Sequence, residues 1–157
     1  MPLYRIFLLE ETGSPRNHVG IFLETSPPNT TTIDTTPIGS GTYFNVAGTI
    51  LTGMTYSTHP LPANPPTSLP TFHAIHYIGL VSSSTPESAV ESIDAVCRSV
   101  EVPGAQLNLD GSRKNETVPV RKCREWTGEV GEKLFEAGVV RGDGEVSCSV
   151  GLALGLV

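Results

Sequence analysis

Cys123 and His18 are the residues best placed by type and context to do chemistry. Cys123 lies in Val120-Arg121-Lys122-Cys123-Arg124-Glu125-Trp126-Thr127, near the start of an expected helix. A thiol there meets the positive end of the helix dipole, and Arg121, Lys122 and Arg124 add positive charge. Both influences favour the thiolate, the nucleophilic form of cysteine. His18 begins a β-prone run whose next residues are small or apolar, Val19, Gly20 and Ile21. Helical spacing puts Cys123 on the side of Trp126, Thr127 and Val130. That side faces a sheet, where a strand histidine can meet the sulfur. A thiol and an imidazole at hydrogen-bond distance are the parts needed for covalent acyl chemistry. A third polar group would orient the imidazole; Asn45 is the first candidate, with His73 and His76 behind it.

A plainer reading competes with this one. A single cysteine on a helix is more often a small core residue than a nucleophile. His18 could hydrogen-bond to backbone or sit exposed at a turn. Cys97 falls in the apolar stripe of another helix and reads as structural, and Cys148 has neither basic neighbours nor a helix start beside it.

The elements that must hold these residues follow from patterning. Residues 3–10 read as a buried strand and residues 17–24 as its hairpin partner. Residues 25–42 form a long polar loop rich in Ser, Thr, Pro and Gly. Residues 42–49 are a third strand, and a short strand follows at 54–56. A proline-rich loop is expected over 58–71, because five prolines fall within residues 60–70 and proline breaks the hydrogen-bond ladder. Residues 72–81 are the next strand; the odd spacing of His73 and His76 puts them on opposite faces.

The period then changes. Ser84 and Glu87 form a capping-box pattern, with Pro86 suited to a first turn. Ala89, Ile93, Val96, Cys97 and Val100 recur at helical spacing, and Pro103-Gly104 ends that helix. Residues 104–119 carry no strong element. A second helix is expected from Val120 to Ala137, with Trp126, Val130, Leu134 and Ala137 on one side and Gly138 as its cap. The tail from Gly144 to Val157 reads as a final strand or an apolar extension. Strands first and helices after imply an α+β fold: one domain over 1–157, with a twisted, mostly antiparallel sheet packed by two helices.

Composition narrows the function classes. Ten Lys and Arg against sixteen Asp and Glu give a net charge of −6, which argues against binding a phosphate backbone. No apolar run approaches the ~20 residues that span a bilayer. The apolar N-terminal run is short and ends in Glu10-Glu11, unlike a signal peptide. Three cysteines without a CxxC pair point to a reducing compartment, the cytosol. Asn29 and Asn115 head sequons that read as chance matches in polar loops. The four histidines lack chelating spacing, no EF-hand spacing surrounds Asp143-Gly144-Glu145, and no glycine-rich phosphate loop occurs. No cofactor and no metal is expected, and the partner is a small-molecule or peptide substrate.

His18-Val19-Gly20-Ile21-Phe22-Leu23-Glu24, a glycine-bearing loop, and Tyr43-Phe44-Asn45-Val46-Ala47-Gly48 together resemble the front half of circularly permuted papain-like proteins. These are the lecithin retinol acyltransferase and PPPDE-type peptidase groups, in which a strand histidine precedes a cysteine at a helix start. Cys123-Arg124-Glu125-Trp126-Thr127 resembles that second position. The chain is also similar to short fungal proteins of unassigned function. The resemblance implies a permuted papain-like arrangement, His18 as general base, Cys123 as nucleophile and a thioester acyl-enzyme. It implies an oxyanion site at the Cys123 backbone N–H. The chain departs from the acyltransferase pattern at two points. Asn45 stands where a second histidine is usual, the next being His59, and Lys122 stands where the nucleophile is usually preceded by Asn.

The expected function is a Cys–His hydrolase or acyltransferase acting on an amide, ester or thioester. The alternatives are a non-catalytic binding or assembly module, or a small natural-product enzyme that cyclises or isomerises without a thiol nucleophile.

Overall fold

The computed structural model describes residues 2–13, 16–26, 38–61 and 65–142. Six strands form one antiparallel sheet: β1 (Leu3–Glu11), β2 (His18–Ser26), β3 (Ser40–Thr49), β4 (Gly53–Leu61), β5 (Phe72–Ser82) and the short β6 (Val140–Arg141). Their order across the sheet is β4-β3-β2-β1-β5-β6. Two helices follow the long strands, α1 (Pro86–Ser99) and α2 (Cys123–Glu136). The fold is α+β, as the change of hydrophobic period implies.

β1 is buried along most of its length, and the reason lies on both faces of the sheet. Ile6 and Leu8 join Ile21, Leu23, Phe44 and Val46 under the helices, together with Ile93, Trp126, Val130 and Leu134. Phe7 and Leu9 point the other way and pack with Phe22 and Tyr43. A strand buried on both faces loses the apolar–polar alternation of a half-exposed one, which explains the uninterrupted apolar run. Arg5 and Glu24 lie within this buried zone. The Arg5 Nε and a terminal guanidinium nitrogen each donate to a Glu24 oxygen at 2.7 Å, and the Gly39 N–H adds a third bond at 2.6 Å.

Several boundaries differ from expectation. The proline-rich loop begins later than residue 58, because β4 continues through His59 and Pro60 to Leu61. Pro60 pairs with Thr42, and β4 is the edge strand, where a residue without an N–H is tolerated. The polar loop of 25–42 is likewise shorter, since β2 holds Ser26 and β3 starts at Ser40. Residues 66–68 form a turn of 3-10 helix. The first helix is capped one residue later than Ser84. Thr85 accepts a hydrogen bond from the Ser88 N–H at 3.1 Å, and Pro86 takes the first turn.

The second helix begins at Cys123 rather than Val120. Gln106 accounts for the delay: its amide accepts from the Arg121 N–H at 2.7 Å and donates to the Arg121 carbonyl at 2.6 Å. That clamp occupies the backbone groups a helix would need. Ala137 is exposed, because the helix has already ended; Gly138 takes the left-handed conformation (φ 71°) and closes it. The Gly144–Val157 tail and Cys148 lie outside the described residues.

Candidate active site

His18 is the first residue of β2 and Cys123 the first of α2. By strand alternation His18 shares a face with Phe22, whereas Cys123 packs against the helix-side core. They meet where β2 and α2 both begin, lining one cavity. The helix is fixed there by Thr127, a fully buried residue whose hydroxyl donates to the Val19 carbonyl at 3.1 Å. Trp126 anchors the same turn. It is buried against Tyr56, ring centroids 5.7 Å apart, and its indole N–H reaches the Val100 carbonyl at 3.4 Å.

The imidazole and the thiol are hydrogen-bonded, and each shifts the other. Burial is the largest single influence on Cys123 and pushes its pKa up. It is outweighed by the bond to His18, the Val19 N–H, the charge of His18 and the Arg124 N–H, so the thiol ends below its ordinary value. His18 is raised, first by its bond to Cys123, then against the opposing effect of burial by the charges of Cys123 and Glu11. A lowered thiol beside a raised imidazole is the condition for a thiolate–imidazolium pair. Cys97 behaves oppositely: burial in the α1 stripe pushes it up to about 12.

Asn45 lies on β3 with its Nδ2 2.9 Å from His18 Nε2. The contact continues outward. The Ser57 hydroxyl donates to Asn45 Oδ1 at 3.1 Å and sits 3.0 Å from His59 Nε2. Cross-strand pairing builds this row, since Asn45 is opposite Ser57 and Tyr43 opposite His59. The Tyr43 ring stands edge-on to His18 at 6.4 Å, and its hydroxyl donates to Glu11 at 3.1 Å. Burial and the Glu11 charge raise the Tyr43 pKa, so the phenol keeps its proton. An imidazolium carries a proton on both nitrogens and therefore needs an acceptor at Nε2. Turning the Asn45 amide end for end supplies Oδ1. Nδ2 then donates to Ser57, and Ser57 to His59. All three contacts persist with their direction reversed.

The structure thus brings together all three residues singled out from the sequence, Cys123, His18 and Asn45. His73 and His76 lie on β5, where His76 faces Glu10 at 3.7 Å, and neither reaches the cavity at the thiol. Ser57, His59, Glu11 and Gln106 were not foreseen. The signal for Ser57 was the hairpin register itself: Gly48 and Gly53 bracket a turn that sets Asn45 opposite Ser57.

A cavity of about 360 Å³ opens on the pair. It is lined by the β1–β2 turn (Gly13, Arg16, Asn17), the β3–β4 turn (Gly48, Thr49, Ile50, Met54), the start of α2 (Lys122, Cys123, Arg124) and His18. The segment after α1 laces these walls together. The Gln106 N–H donates to the Ile50 carbonyl at 2.7 Å, and the Met54 N–H to the Pro103 carbonyl at 2.8 Å. Among the described residues, no three of His, Cys, Asp and Glu are grouped to hold a metal ion. No described helix is long and apolar enough to cross a membrane.

Residues 6–141 match the model of a protein family described as a family of unknown function, DUF6540. No curated protein and no solved structure matches the chain.

Proposed function

Since this chain belongs to the DUF6540 family of unknown function, we propose from its own geometry that it is a cysteine hydrolase or acyltransferase, with Cys123 as nucleophile, His18 as acid–base and Asn45 as positioning residue. The observation that carries this reading is the convergence of the three residues, with Cys123 and His18 lining one cavity and Asn45 Nδ2 2.9 Å from His18 Nε2; the lowering of the thiol and the raising of the imidazole agree with it. The order of the parts along the chain, base on an early strand and thiol at a later helix start, supports a permuted papain-like arrangement. A small-molecule or peptide acyl donor suits the cavity volume, and the cytosolic location that we propose with it would keep such a thiol reduced.

In the first step the Cys123 thiolate attacks the carbonyl carbon of an amide, ester or thioester, forming the C–S bond. The developing oxyanion is met by the Cys123 backbone N–H and the first turn of α2, whose N–H groups have no intrahelical acceptor. With Asn45 on Nε2, Nδ1 is the nitrogen left to face the reaction. His18 gives its proton to the leaving group as the bond to that group breaks. Water or another acceptor then attacks the thioester and loses its proton to His18. The C–S bond breaks, and the thiolate–imidazolium pair returns.

Alkylation by iodoacetamide against pH, read for each cysteine by peptide mass spectrometry, tests this. Cys123 is expected to react rapidly below pH ~7, well under the ordinary thiol value of ~8.5, while Cys97 stays inert. His18→Ala should move the Cys123 profile up towards the ordinary value. If Cys123 is as inert as Cys97, the thiol mechanism is wrong and a non-catalytic binding module becomes the better reading.

A further inference from the structure

The cavity that holds Cys123 is one-sided in charge. Arg16, Lys122 and Arg124 are three of the ten Lys and Arg in the chain, and all three line it. Among the described residues, no Asp or Glu does. The protein carries a net charge of −6, so this concentration of cations runs against its overall charge. Acidic partners are nearby but are not part of the lining. Glu10 approaches Arg124 at 3.4 Å, and Glu125 approaches Arg16 only at 3.8 Å, with the Arg16 side chain still largely exposed. The carboxylate of Glu125 is already held by the Lys122 backbone N–H at 2.8 Å. The lining also includes the apolar side chains of Ile50 and Met54, beside Thr49.

Resting on the proposed thiol chemistry, we infer that the acyl donor is an anionic one: a short apolar acyl chain lying on Ile50 and Met54 that carries a carboxylate or phosphate bound by Arg16 and Lys122. A guanidinium and an ammonium beside a helix N-terminus attract an anion of either kind. Ile50 and Met54 give the methylene part of the chain a place to leave water.

Paired alkylating reagents test the charge preference at the thiol itself. Iodoacetate is anionic and iodoacetamide is its neutral isostere; the ratio of their rate constants at Cys123 cancels changes in thiolate content. The ratio should favour iodoacetate in the native protein and fall about tenfold in the Arg16→Gln/Lys122→Met double variant. Lys133→Met, at the far end of α2, should keep the native ratio. An unchanged ratio in the double variant, with its circular dichroism intact, overturns the inference while leaving the nucleophile in place. A Cys123 that reacts with neither reagent removes the proposed chemistry and this inference together. Glutarate and inorganic phosphate, added separately as competitors of iodoacetate, distinguish the two anions. Protection by one names the class, and protection by neither counts against an anion site. In turnover, mono-p-nitrophenyl glutarate should exceed p-nitrophenyl butyrate in kcat/KM by at least tenfold.

Discussion

At the scale of single residues, the charged surroundings of His18 and its burial make opposite demands on it. The bond to Cys123 and the charges of Cys123 and Glu11 raise it, and burial lowers it. Cys123→Ala removes both the bond and the Cys123 charge and leaves burial against Glu11 alone. The His18 titration, followed by NMR of its ring protons, should therefore move down in that variant. The same reasoning fixes the shape of the pH–rate profile. The acid limb is ionisation of the lowered Cys123 and the alkaline limb is loss of the proton from the raised His18, so the plateau lies between them. Ser57→Ala takes away the acceptor that Asn45 Nδ2 needs when its oxygen faces a protonated His18. The neutral state loses its own Ser57 bond to Asn45 Oδ1 as well, so only the difference between the two bonds acts on His18, and the alkaline limb should shift down by less than the ~0.7 pH unit that a whole bond of about 1 kcal/mol would give. The acid limb should move much less. The sequence pointed to Cys123, His18 and Asn45 because thiol, imidazole and amide are chemically distinctive in a strand or at a helix start. Ser57 was not legible, because a serine on an edge strand has no mark of its own until the strand opposite it is known.

At the scale of elements, the site depends on how firmly α2 is held against β2. The Thr127 hydroxyl and Val19 carbonyl make that bond across the buried interface, one residue along β2 from His18. Thr127→Val keeps the volume and deletes the hydroxyl. It should cost about 1–2 kcal/mol in urea unfolding and shift the Cys123 alkylation profile to higher pH, because the sulfur draws on both His18 and the Val19 N–H. Gly20 shows why the residue two beyond the histidine is small. A Cβ there would lie 2.5 Å from the Tyr43 ring and 2.8 Å from the Phe44 carbonyl. The helices and most strands were legible because periodicity is local. Their ends were not, because distant partners set them: Gln106 holds Arg121 extended, and the edge position lets β4 pass through Pro60. Neither cause lies within the segment it limits.

At the scale of the whole molecule, the sheet joins distant parts of the chain. β1 lies between β2 and β5, and the residues on its two faces serve two different apolar clusters. The α+β class followed from the order of the elements, but the β1–β5 pairing and the second buried face did not. Glu24 looks like the polar end of a strand until Arg5 is seen beside it on the neighbouring one. It is almost wholly buried, at 1 % exposure, so removing its partner leaves a carboxylate short of its main counter-charge. Arg5→Met should destabilise the fold by about 3–5 kcal/mol, measured by denaturant unfolding. Pairing it with Glu24→Leu should restore part of that loss, since two apolar groups no longer strand a charge.

The only tryptophan in the chain is Trp126, one turn into the helix that carries Cys123 and fully buried beneath it. Native emission excited at the red edge of indole absorption therefore comes from one spot, next to the thiol. Its colour reports whether α2 is seated: blue when the indole is dry, red when the helix lifts and water enters. Acylation, ligand entry and refolding can thus be followed in real time without attaching a dye, through light that originates one helical turn from the reacting sulfur.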